Sequence, residues 1–151
     1  MDIYKAPLNI RWADIDANRH LRHSVYYDFA AAMRMNILNS KGLTTEKLIE
    51  YHIGPILFRE EALFKREVKL EDKVEIDVQL SKCMPDYSRW SLRHNITKPD
   101  GSVCTIITVD GAWMDLEKRK LTTPNEFIQG IFAGFPKSPD FEWLVPKPAR
   151  A

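Results

Sequence analysis

Cysteine is nearly missing from this chain, glycine is scarce, and neither sign of charge dominates. The two cysteines, Cys83 and Cys104, stand alone, outside any CxxC pair. They cannot build a disulfide scaffold or a zinc ribbon, and with no secretory leader in view they are expected to remain reduced thiols. Six glycines leave no GxGxxG turn, no P-loop and no GxSxG elbow, which removes the usual signatures of nucleotide binding and serine hydrolysis. No HExxH is present either. His20 and His23 form an isolated HxxH, too sparse to point to a metal, and no metal or cofactor is expected. Lys plus Arg number 22 against 21 Asp plus Glu, a net charge of +1, without the basic excess of a dedicated nucleic-acid binder. No stretch approaches the ~20 apolar residues of a membrane helix. The opening MDIYKAPLNIRW carries no apolar core behind a basic start, so the expected location is cytoplasmic.

What is present is the composition of one globular domain: 151 residues, 44% apolar and 28% charged. Leu8, Ile10 and Trp12 alternate with Asn9 and Arg11, a short strand by period. Tyr26, Ala30, Met33 and Ile37 then recur at steps of four, three and four, predicting a long helix over 24–40 with Ser24 as N-cap and Gly42 as stop. Thr44 or Thr45 caps a shorter helix running to Tyr51. From Ile56 onward the pattern is strand after strand. Val74, Ile76, Val78 and Leu80 alternate with charged or amide residues, and Trp90, Leu92, His94 and Ile96 alternate with Arg89, Ser91, Arg93 and Asn95. Lys98-Pro-Asp-Gly101 marks a turn, and 103–114 is the β-branched return strand. The order of one strand, one long helix and about four antiparallel strands predicts an α+β domain over 1–136, followed by a proline-rich surface tail over 137–151. A single sheet leaves edges unpaired, so a homo-oligomer is expected.

Chemistry concentrates at the junction of the first strand and the long helix, in Arg11-Trp-Ala-Asp14-Ile-Asp16-Ala-Asn18-Arg-His20-Leu-Arg-His23-Ser-Val-Tyr26. A helix N-terminus offers unpaired N–H donors and the positive end of the dipole, which suits an oxyanion forming on a thioester or ester carbonyl. A carboxylate on the preceding loop can activate water or attack directly, and His23 can donate a hydrogen bond or carry a proton. The same residues also have bland uses: Asp16 and Asn18 are turn formers, Ser24 a cap, and Tyr26 a core residue.

This segment resembles the signature of the hotdog-fold acyl-CoA thioesterases, the 4-hydroxybenzoyl-CoA thioesterase-like family. That signature runs Arg-aromatic-x-Asp-x-Asp, a Gly- or Asn-containing turn, a His or Asn, and a Tyr three residues later. Arg11, Trp12, Asp14, Asp16, Asn18, His23 and Tyr26 occupy matching positions, and His20 matches a variant of the same motif. The resemblance extends over about residues 3–125. It implies a hotdog fold, a curved antiparallel sheet wrapped around one long helix, working as a dimer or tetramer without metal or cofactor. It implies Asp16 as catalytic carboxylate, Asp14 as structural, and His23 as a second catalytic group. The backbone N–H groups of His23 and Ser24 would polarise the carbonyl. Asn18, His20, Arg22, Tyr26 and Arg89 are the candidate substrate contacts, the arginines (with Arg19) for the phosphates of CoA. Two departures stand out. The turn carries Asn18-Arg19 where glycine is usual, with Asn18 the residue suited to a left-handed backbone. Ala31 occupies the place where some relatives carry a mid-helix Glu, leaving Glu60 and Glu61 as other carboxylates. The implied activity is hydrolysis of an acyl-CoA to an acid and free thiol. An acyl-carrier-protein thioesterase and a non-catalytic acyl-binding module are the alternatives. No nucleic acid or membrane partner is expected.

Overall fold

The computed structural model describes residues 2–146. The long helix, α1 (Val25–Ser40), forms where the four-three-four apolar spacing predicts it. It buries Tyr26, Ala30, Met33, Ile37 and Leu38. Its end is a Schellman arrangement: Gly42 takes φ +90°, the Leu43 N–H reaches the Leu38 carbonyl at 2.9 Å, and the Gly42 N–H reaches that of Asn39 at 3.0 Å. A Cβ-bearing residue at that φ would be strained. The next helix, α2 (Thr45–Glu50), starts at Thr44, whose hydroxyl accepts the Lys47 N–H at 3.2 Å.

The sheet is built from eight strands in five rows: β1 (Lys5–Pro7), β2 (Ile53–Phe64), β3 (Glu75–Asp77), β4 (Gln79–Cys83), β5 (Arg89–Thr97), β6 (Val103–Asp115), β7 (Lys120–Leu121) and β8 (Lys137–Trp143). β2 pairs antiparallel with β6 along its whole length, broken by a bulge at Phe58. β6 pairs with β5, and β5 takes β3 and β4 end to end on its other side. The alternation over 74–80 is thus one row interrupted at Val78. β1 lies outside β3, and β8 lies outside β4. Thr105, Ile107, Val109 and Trp113 on β6, with Trp90, Leu92, His94 and Ile96 on β5, form the buried face, against which α1 packs. The curved sheet around one long helix is the hotdog fold, and the class is α+β.

Four expectations need correction. The first strand is Lys5–Pro7 rather than Leu8 to Trp12. Trp12–Asp14 is a 3-10 turn, because Asp14 folds back on Arg11. Ser24 does not cap α1 with its side chain: its own φ and ψ, −76° and −20°, are already helical, and its hydroxyl is taken by Arg22 Nη1 at 2.7 Å. The stretch expected as tail, 137–151, is not bare: after α3 (Glu126–Ala133), capped by Asn125, it opens with β8, which joins the sheet parallel to β4. Pro139 is tolerated there because β8 is an outer row, where a missing N–H costs nothing to a neighbour. The last five residues of the predicted tail lie outside the described residues. Finally, the left-handed residue of the 16–20 turn is Arg19 (φ +66°), not Asn18.

Candidate active site

Two carboxylates two residues apart have opposite surroundings. Asp14 is buried and gripped: Arg11 Nη2 donates to Oδ1 at 2.8 Å, while the Arg11 backbone N–H and Nε donate to Oδ2 at 2.9 and 3.3 Å. Those bonds hold its carboxyl below the ordinary carboxylate range, against the opposing effect of burial. All its acceptor directions of note are spent, and the Asp14 carbonyl takes the Arg22 N–H at 2.8 Å. Asp14 is a structural clamp that fixes the approach to the helix.

Asp16 is half-buried and only partly engaged. Its Oδ1 accepts the N–H groups of Asn18 at 2.8 Å and His20 at 3.1 Å, an Asx turn that fixes the carboxyl plane. Its Oδ2 accepts nothing from a described residue. The backbone around it closes tightly: Asp16 N–H to the His20 carbonyl at 2.9 Å, and Arg19 N–H to the Asp16 carbonyl at 3.1 Å. Arg19 supplies the left-handed step this closure needs. Leu21 then bonds the Val68 carbonyl at 2.7 Å, pinning the loop to the chain beyond β2.

Asp16, His20, His23 and Tyr26 line one open cavity of about 280 Å³, completed by Leu21, Phe64, Lys65, Arg66 and Glu67. Tyr26 stands edge-on to Phe64, with centroids 5.0 Å apart. Burial pushes its phenol up, so it stays protonated. His20 Nε2 lies 2.8 Å from Glu67 Oε2. His23 is exposed on the rim. The backbone N–H groups of His23 and Ser24 have no acceptor among the described residues. The loop therefore brings Asp16, His20 and His23 to one concavity, with unpaired amides at the adjoining helix start.

Not every residue singled out in the sequence converges here. Asn18 contributes its backbone N–H to Asp16. Arg22 sits behind the helix start on Ser24. Arg89 lies over the Phe58 ring at 5.4 Å and is not part of the cavity wall of its own chain. Glu61 pairs with Arg59 on β2. Conversely, Phe64-Lys-Arg-Glu67 escaped the sequence reading. Its only local signal is an aromatic followed by two cations where a strand ends. A larger groove of about 720 Å³ runs between β1, β3 and α1, lined by Phe29, Met33 and Ile37, with Asp2 and Glu75 also in its wall but no histidine. Among the described residues no cluster of three or more His, Cys, Asp or Glu is arranged for a metal, and no helix is long and apolar enough to cross a membrane.

Residues 10–132 match the family model of the thioesterase-like superfamily, and the chain belongs to that family. This is a broader grouping than the 4-hydroxybenzoyl-CoA branch that the motif resembles. No curated protein matches the sequence. Solved structures with the same fold include a 1,4-dihydroxy-2-naphthoyl-CoA thioesterase from Synechocystis, 12% identical, with 87% of this chain and 96% of that one covered at a TM-score of 0.76. A hypothetical protein from Staphylococcus aureus, solved in complex with CoA, is 17% identical over 96% of this chain and 95% of its own, at 0.78. YbaW from Escherichia coli, a probable thioesterase, is 19% identical over 89% and 99%, at 0.75.

Proposed function

We propose that the protein hydrolyses an acyl-CoA thioester to a carboxylic acid and free CoA. The observation that carries this reading is that Asp16, with its Oδ2 unengaged, and His23 line one cavity at the start of α1, beside the unpaired amides of His23 and Ser24. The thioester carbonyl oxygen accepts from those amides, which meet the negative charge as it develops. Asp16, held in plane by two backbone donors, either takes the proton of an attacking water or attacks the carbonyl carbon itself to give an anhydride that water then opens. Collapse of the tetrahedral species expels the CoA thiolate, and His23 on the rim is placed to protonate it. Lys65 and Arg66 give the cavity a cationic wall suited to the CoA phosphates, in place of the more remote Arg89. The CoA bound to the S. aureus neighbour supports the same carrier.

Within one chain the cavity is open to water, and Phe64, 54% exposed, sits on both its wall and the outer strand β2. A homo-oligomer joined along β2 would cover it. Thiol release from a panel of acyl-CoA esters tests the function. Turnover that needs the folded protein is expected, and no release from any ester would overturn the reading in favour of a non-catalytic acyl-binding module.

A further inference from the structure

A second pocket, about 180 Å³, opens beside the other end of α1. Arg34 enters its wall two helical turns past Tyr26, roughly 12 Å along the axis. The remaining lining is apolar: Met35 and Leu38 on α1, Leu57 on β2, Trp90 and Trp113 on the sheet, and Phe132 on α3. A space near 150 Å³ accommodates a benzene ring, so this one suits a single ring or a short chain.

Its one charged group, Arg34, is unusual because no anion answers it. Arg34 Nη1 lies 3.0 Å from His94 Nε2, and His94 Nδ1 lies 2.8 Å from the Asp77 carbonyl. The carbonyl requires Nδ1 to carry the proton, so Nε2 accepts from Arg34 and the imidazole is neutral. His94 therefore fixes the guanidinium in place without neutralising it. Among the described residues no carboxylate is within ion-pair distance of Arg34, and it makes no other side-chain hydrogen bond. Glu60, exposed on β2 opposite Val109, offsets its charge only from a distance. A largely buried cation beside an apolar space, bonded only to a neutral imidazole, is costly unless something supplies an anionic acceptor.

We propose that this pocket receives the far end of the acyl group and selects one that terminates in a carboxylate, with Arg34 as its counter-ion and His94 as the residue that positions Arg34. The proposal deepens the thioesterase reading and rests on it. It makes the preferred substrate a short acyl chain bearing a second, distal acid rather than a plain hydrocarbon.

Two measurements test it. In the first, tryptophan fluorescence of the wild-type chain is titrated with benzoate and with benzamide, which differ in charge but not in shape. One charged hydrogen-bonded contact predicts a Kd roughly ten- to hundredfold lower for benzoate. That preference should fall to about twofold or less in Arg34→Met, and be partly retained in Arg34→Lys. In the second, kcat/KM is compared for adipoyl-CoA and hexanoyl-CoA, equal in chain length. The wild type should favour adipoyl-CoA by a similar factor, and Arg34→Met should lose the preference. Equal binding of benzoate and benzamide, or no binding of either, overturns the anion site. Benzoate preference with equal hydrolysis of the two esters means the pocket takes a free acid, which overturns its assignment to the acyl end. Should Arg34→Met fail to fold, the wild-type comparisons and Arg34→Lys still decide. Absence of hydrolysis of every ester refutes the thioesterase reading separately, while the titration still rules on the pocket.

Discussion

Replacing Asp16 by asparagine isolates the proposed chemistry from the architecture. The Asp16 carboxyl divides its work between two oxygens: Oδ1 accepts from the Asn18 and His20 amides, and Oδ2 is left for substrate or water. The asparagine side-chain oxygen can keep both backbone bonds, so the Asx turn and the helix start should survive. What changes is Oδ2, which becomes an NH₂ group able neither to take a proton nor to attack. General-base assistance contributes typically 10²–10⁴ in rate, about 2.7–5.4 kcal/mol of barrier at 1.36 kcal/mol per tenfold. Asp16→Asn should therefore lose at least about a hundredfold in kcat with little change in KM or unfolding midpoint. Asp16→Ala is the contrasting control. It strands two backbone donors, so it should also cost about 1–3 kcal/mol of stability. The assay is continuous thiol release at saturating acyl-CoA, paired with thermal unfolding of each variant. If Asp16→Asn turns over its best ester at the wild-type rate, the placement of the reactive carboxylate at Asp16 is wrong.

Four further outcomes are expected. His94, buried beside Arg34, has its pKa pulled down to about 3, so below about 6.5 the unfolded chain binds a proton that the folded one refuses. Stability should fall as pH drops from 6.5 towards 4.5, before the lowered carboxylates of Asp14 and Asp86 begin to titrate, whereas Asp77, raised by burial, acts in the opposite sense only in the carboxylate range. Urea midpoints that do not move across that window, or that move equally in His94→Gln, would contradict this. Gly111→Ala should destabilise by about 1–3 kcal/mol in urea unfolding, because a Cβ there would meet the Ile56 carbonyl oxygen at 2.6 Å and Trp90 Cζ3 at 2.7 Å; wild-type stability would show that the strand gives way freely. Cys83, whose thiol burial pushes up to about 12, and Cys104, also raised, should resist aromatic disulfide reagents in the native protein and react on unfolding; rapid native labelling would refute this, and Cys83→Ala should keep its turnover. β2 exposes Leu57, Phe58, Leu63 and Phe64, so light scattering should show a homodimer or larger species, and a lone 17.6 kDa species at micromolar concentration would count against it.

The fold was legible where one local signal was enough. The four-three-four spacing located α1, and Lys98-Pro-Asp-Gly101 located the β5–β6 turn, where the Gly101 N–H meets the Lys98 carbonyl at 2.9 Å. It was not legible beyond Pro124. Gly130 breaks the helical pattern of α3, yet its Cβ position faces open space, so only intrinsic propensity is lost. Packing of Ile128, Ile131 and Phe132 outweighs it. In β8 the prolines mask a strand whose partner, β4, lies more than fifty residues earlier and runs parallel. The site divides the same way. Asp14, Asp16 and the helix start are near neighbours in sequence, and their pattern is visible there. Lys65 and Arg66 reach the cavity only because β2 ends beside Tyr26, and Arg34 meets His94 across 60 positions.

The placement of β8 also bears on how many copies can join. On the far side of the sheet β8 and the three-residue β1 occupy the outer row, one carrying Pro139 and the other ending in Pro7. Neither offers a long uninterrupted ladder for another strand. β2, with twelve residues and no partner beyond β6 among the described residues, does. A unit with two sticky edges polymerises, whereas a unit with one saturates itself when two copies meet about a two-fold axis. Joined through β2, the assembly is closed by construction, and strand addition has no route from pair to fibre.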